Sequence, residues 1–115
     1  GIARREFVYA KDAARVIEWM MKNYNDERPL IVSPNEDISI LEVAKVIAER
    51  FKLNICFDDS IPDGQLVRRS DSSLFESLDT GVNLNNTNLI DALHETIEWF
   101  ISNVDKAGGC VRLNP

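Results

Sequence analysis

The arginines Arg4-Arg5 and Arg68-Arg69 and the aspartate of the turn sequence Pro62-Asp63-Gly64 are of types that can hold a small charged molecule. A guanidinium presents a planar fork that grips phosphate or ribose oxygens at two points, which an ammonium cannot do. A carboxylate on a rigid turn accepts hydrogen bonds from a base or a sugar, so it sets orientation where arginine supplies attraction. Each residue also has an ordinary reading. By spacing alone Arg5 is a surface arginine and Arg68-Arg69 a solvated basic couple. Asp63 is equally a turn former, since aspartate before glycine favours a bend whatever it binds.

Catalytic chemistry is harder to find. None of the five glycines, Gly1, Gly64, Gly81, Gly108 and Gly109, has the G-x-G-x-x-G spacing that lets a backbone approach a pyrophosphate. No tyrosine is followed four residues later by a lysine; Tyr24 is followed by Arg28, which titrates too high to assist proton transfer in the same way. His94, the single histidine, reads as an exposed helical residue, and Cys56 and Cys110 have no second Cys or His at metal-ligand spacing. The expectation is no catalytic, cofactor-binding or metal residue within this chain.

With 115 residues and 44% apolar content the chain is sized for one domain. A net charge of -6 argues against a nucleic-acid binder, which needs excess Lys and Arg to displace counterions. A small anion fits only a local basic pocket on this acidic background. No run of 18 apolar residues exists, so no membrane span is expected. The cysteines read as reduced thiols of a cytoplasmic protein.

Positioning these groups requires an ordered frame. Apolar runs predict strands at residues 6–9, 29–33 and 54–59. Ala13, Val16, Ile17, Met20 and Tyr24 recur at helical steps and predict a helix over 12–24. The capping box Ser39-Ile40-Leu41-Glu42 predicts a helix over 40–51 that buries Ile40, Val43, Ala44, Ile47 and Phe51. A short helix is expected over 71–78 and a long one from Asn88 to Val104, with Leu89, Leu93, Thr96, Ile97, Phe100 and Val104 inward. Residues 105–115 read as a loose tail. The order is β-α-β-α-β-turn-α-α, an α/β (α+β-like) class of short strands with about four helices. So few and such short strands make a poor sheet alone, which suggests a satellite of a larger body.

Four segments then resemble one family when taken in order: Arg5-Glu6-Phe7-Val8-Tyr9, Ile38-Ser39-Ile40-Leu41-Glu42-Val43-Ala44, Phe57-Asp58-Asp59-Ser60-Ile61-Pro62-Asp63-Gly64 and Glu95-Thr96-Ile97-Glu98-Trp99-Phe100. From about Arg4 to Val104 the chain resembles the C-terminal portion of the GDP-L-fucose synthases, a branch of the extended short-chain dehydrogenase/reductase superfamily. The resemblance implies that residues 1–104 are a small substrate-binding domain for a GDP-sugar, without the Rossmann domain that holds NADP(H) and the catalytic groups. It implies substrate contacts at Arg5, Asp63 and one of Arg68 and Arg69, which faces the diphosphate. It carries no role onto Cys56, Cys110 or His94, and implies a homodimeric full-length enzyme. Competing readings are a UDP- or dTDP-sugar epimerase or dehydratase and a stand-alone interaction module. Many relatives carry two aspartates where this chain has Lys11 and Asp12, which places a lysine near the positive end of a helix dipole.

Overall fold

The computed structural model describes residues 1–58, Ser60 and residues 64–104. Its elements are β1 (Arg4–Arg5), α1 (Ala10–Asn23), β2 (Ile38–Ser39), α2 (Ile40–Phe51), β3 (Val67–Arg68), α3 (Ser73–Ser77) and α4 (Leu89–Asn103). The expected tail, and Pro62 and Asp63 of the expected turn, lie outside the described residues.

The order of element types matches the sequence reading, but all three strands stand elsewhere. Residues 6–9 and 29–33, and the described part of 54–59, form no strand. The sheet instead joins three two-residue strands in the order β2-β1-β3. β2 runs antiparallel to β1, with Arg4 opposite Ser39 and Arg5 opposite Ile38. β3 runs parallel to β1, with Arg4 opposite Val67 and Arg5 opposite Arg68. Apolar content misleads here because the 30–32 stretch serves the core without joining a strand: Leu30 and Val32 pack against Val16, Phe75 and Leu84, with Met20 and Val82 completing the cluster.

The helices follow local rules more closely. At the start of α2 the Ser39 hydroxyl accepts from the Glu42 amide at 3.1 Å, and a Glu42 carboxylate oxygen accepts from the Ser39 amide at 3.0 Å. This is the anticipated capping box. Lys52 closes α2 in the left-handed region at φ 54, where glycine is favoured. The Leu53 amide returns to the Ala48 carbonyl at 2.9 Å to complete the stop. α4 begins at Asn88, whose side-chain oxygen accepts from the Ile90 amide at 2.9 Å.

Burial differs from expectation in α1 and α2. In α1 the inward residues are Asp12 and Val16, with Met20 against the core, while Ile17 is 58% exposed. Asp12 turns inward because it has partners: it pairs with Arg15 one turn on and accepts from the Thr87 amide at 3.3 Å. In α2 no residue is fully buried, and Ile40 and Ile47 are exposed. That helix packs on α4 along one side, where Arg50 pairs with Glu98 at 2.7 Å. Within α4, Ala92 and Ile97 are buried and Thr96 is exposed. Thr96 spends its hydroxyl on the Ala92 carbonyl at 2.7 Å. Lys11 sits in the first turn of α1 and forms an ion pair with Glu95 of α4, which offsets its poor place in the dipole.

Candidate functional site

Side chains alternate between the two faces of a strand, so register decides which arginines meet. Arg5 and Arg68 are partners across β1 and β3 and project to the same face. Among the described residues neither has a carboxylate within ion-pair distance. The Nη1 group of Arg5 donates to the Arg4 carbonyl at 2.6 Å, which orients the fork and leaves its other donors available. Both arginines border a cavity of about 300 Å³ together with Glu6, Ser33, Pro34 and Ser70. Two adjacent cations with no described carboxylate within ion-pair distance favour a small anion on an acidic protein, against the opposing charge of Glu6 at the cavity edge.

Glu6 closes one edge of this cavity. Its Oε2 accepts from the Ser70 amide at 2.8 Å and so holds the stretch after β3 against β1. Burial pushes its pKa up, but the Ser33 hydroxyl, the Ser70 amide and hydroxyl, and the charge of Arg69 outweigh burial and leave it below the usual carboxylate range. The Ser33 hydroxyl lies close enough to favour the anion, yet Oε1 is buried and lacks a completed hydrogen bond.

Arg4 and Arg69 are engaged differently. Arg4 Nε donates to Asp37 Oδ1, and Arg4 Nη2 donates to the Asp37 carbonyl at 2.7 Å. Arg69 Nε donates to Asp37 Oδ2 at 2.6 Å. The hydrogen bond from Arg4, then that from Arg69, holds the Asp37 carboxylate below its ordinary pKa. A second cavity of about 510 Å³ borders Arg4, Asp37, Glu42 and residues 85–88. It is larger, but Arg4 is already balanced there by Asp37 and, at 3.7 Å, by Glu42. The smaller cavity is therefore the better anion site.

Of the four residues singled out in the sequence, Arg5 and Arg68 come together, Arg69 is turned to Asp37, and Asp63 lies outside the described residues. Glu6 and Asp37 were missed. Glu6 has no local pattern to mark it, since its partner Ser70 is 64 positions away. Asp37 belongs to an unpatterned acidic loop, and its partners stand 33 and 32 positions away. The residues present do not fit a dinucleotide cofactor: no described strand-to-helix junction carries a glycine that would let a pyrophosphate approach the backbone. Among the described residues no cluster of His, Cys, Asp and Glu could hold a metal ion. No described helix is long and apolar enough to cross a membrane.

Comparison with known proteins supports the family resemblance across the chain. No family model matches the sequence. A GDP-L-fucose synthase of Dictyostelium discoideum is 36% identical over 111 residues, covering 93% of this chain and 34% of that protein. A probable GDP-L-fucose synthase of Drosophila melanogaster is 32% identical over 112 residues, with the same coverage of both chains. The crystal structure of a GDP-L-fucose synthetase from Naegleria fowleri matches 91% of this chain with a TM-score of 0.80 at 34% identity, and the match spans 32% of that chain. The chain thus spans about a third of the length of the curated relatives it matches. Its small α/β arrangement is the one found in the matching part of the Naegleria enzyme.

Proposed function

We propose that this chain is the GDP-sugar-binding part of a GDP-L-fucose synthase, and that Arg5 and Arg68 together grip the diphosphate of the nucleotide sugar. The observation that carries the proposal is the register pairing of these two arginines, on a chain 36% identical to a GDP-L-fucose synthase over nearly its whole length. Charge-assisted hydrogen bonds from guanidinium to phosphate contribute about 1.5 to 3 kcal/mol each, roughly tenfold to a hundredfold in affinity. Asp63 is assigned the orienting contact to base or sugar. Arg69, paired to Asp37, contributes positive potential without facing the ligand.

The whole enzyme would convert GDP-4-keto-6-deoxy-D-mannose to GDP-L-fucose with NADPH, as a cytoplasmic homodimer of the extended short-chain dehydrogenase/reductase superfamily. Its cofactor and its proton-transfer groups would come from polypeptide other than these 115 residues. The part played here is binding and orientation of the substrate at its diphosphate and nucleoside.

Calorimetric titration of the chain with GDP, UDP and dTDP tests the reading. Preference for GDP supports it. Equal binding of all three would leave a generic diphosphate site, and preference for UDP or dTDP would move the chain to another nucleotide-sugar enzyme. No binding of any diphosphate by a folded chain would refute the site.

A further inference from the structure

We infer that Asp37 is a positioning residue: by drawing Arg4 and Arg69 together on one side of the sheet, it fixes the register in which Arg5 and Arg68 stand side by side on the other. The need for such a residue follows from the strands. Each is two residues long, and a ladder this short is marginal by itself, its parallel half slightly more so. The parallel half of the ladder includes the bond from the Arg4 amide to the Leu66 carbonyl at 2.7 Å. The other main-chain restraint on β3 among the described residues is the Ser70 amide, which donates to Glu6 Oε2 at 2.8 Å just past the strand.

Sliding would matter here in an unusual way. A slip of one residue exchanges the faces of every side chain on a strand. Because positions 68 and 69 are both arginine, a slipped β3 would still offer Arg5 an arginine neighbour, so residue type alone does not select the register. Asp37 does. It lies next to β2, its side chain is 5% exposed, and its two oxygens are divided between Arg4 of β1 and Arg69 just past β3. The bond from Arg4 Nη2 to the Asp37 carbonyl fixes the aspartate to the same strand that carries Arg5. One carboxylate thereby ties all three strands together and commits Arg69 to its own side.

That this arrangement serves a diphosphate rests on the function proposed above, but the register can be read without any nucleotide. The test uses the 115-residue chain with Asp37→Asn, which removes the charge, and Arg69→Gln, which cuts only the β3 arm and carries the test if Asp37→Asn fails to fold. Amide hydrogen exchange at Arg4, measured by NMR, should accelerate at least tenfold in either variant, while the α2 and α4 amides stay protected. Arg69→Lys should recover part of the protection, and GDP affinity should fall about tenfold in parallel. Unchanged Arg4 exchange in folded Arg69→Gln would overturn the inference even if GDP binds normally. Absence of GDP binding in the unsubstituted chain would instead remove the nucleotide reading and leave the exchange result to decide the role of Asp37.

Discussion

Arg5 of β1 and Arg68 of β3 stand opposite one another across a parallel strand pair, with the preceding Arg4 and the following Arg69 both turned to Asp37. This alternation splits four arginines into one pair engaged by Asp37 and one pair with no carboxylate partner among the described residues.

On the proposed function, replacing either arginine of the second pair should therefore act on binding and spare stability. Arg5→Ala and Arg68→Ala are each expected to weaken GDP binding roughly tenfold to a hundredfold, from the loss of a charge-assisted contact. Melting temperatures should stay within about 2 °C of the unsubstituted chain. Calorimetry and thermal unfolding on the same samples check both halves, and a Lys at either position should restore only part, because an ammonium lacks the fork.

Asp12 predicts the opposite pattern. It is fully buried at the start of α1, paired with Arg15 and accepting from the Thr87 amide. Asp12→Ala strands that amide and should destabilise the fold by about 1 to 3 kcal/mol. Asp12→Asn keeps an acceptor and should cost less. Denaturant unfolding of both variants gives the order.

The capping box at α2 offers a local measure. Ser39→Ala removes the acceptor for the Glu42 amide and should cost about 1 kcal/mol, a fall of roughly 4 °C in melting temperature for a domain near this size. Glu42→Gln retains the reciprocal acceptor for the Ser39 amide and should lose less than Ser39→Ala at pH 7.

Acid sensitivity follows from the depressed carboxylates. The side-chain hydrogen bonds from Arg28, then its backbone bond, lower the Asp26 pKa to about 2. A folded-state pKa below the unfolded value means that the stabilisation is complete above the unfolded carboxylate range and fades as pH falls through the folded value. Asp37, held by Arg4 and Arg69, and Glu98, held by Arg50, are displaced in the same direction. Stability should accordingly be flat above pH 5 and decline from about pH 4 downward. An NMR titration of the side-chain carboxyl carbons should give Asp26 a midpoint of about 2. Arg28→Gln should move that midpoint upward.

The helices were legible in the sequence and the sheet was not, for a physical reason. A helix is closed by bonds within a few residues, so apolar spacing at α1 and α4 and the Ser39-Glu42 box at α2 announce it locally. The strands here are Arg-Arg, Ile-Ser and Val-Arg, paired with segments more than 30 positions away, and no alternation of apolar residues marks them. The apolar runs that do look like strands are used otherwise, as the packing of Leu30 and Val32 shows. The same distance effect governs the site. Arg5, Arg68 and Arg69 were visible as residue types and as family matches, but the separation of Arg68 from Arg69 depends on Asp37, which local pattern could not reveal. The inward turn of Asp12 was hidden for the same cause, since its partner Thr87 lies 75 positions away.

Arg5 and Arg68 ride on strands that contribute no residue to the apolar cluster around Val16, Phe75 and Leu84. Substitution at Arg5 and Arg68 should thus carry little penalty to folding, whereas Arg4, Glu6, Arg69 and Ser70, which tie the strands together, are not free to vary in the same way. On the proposed site, ligand preference would rest on two side chains of one thin ribbon, separable from the helical scaffold that carries it.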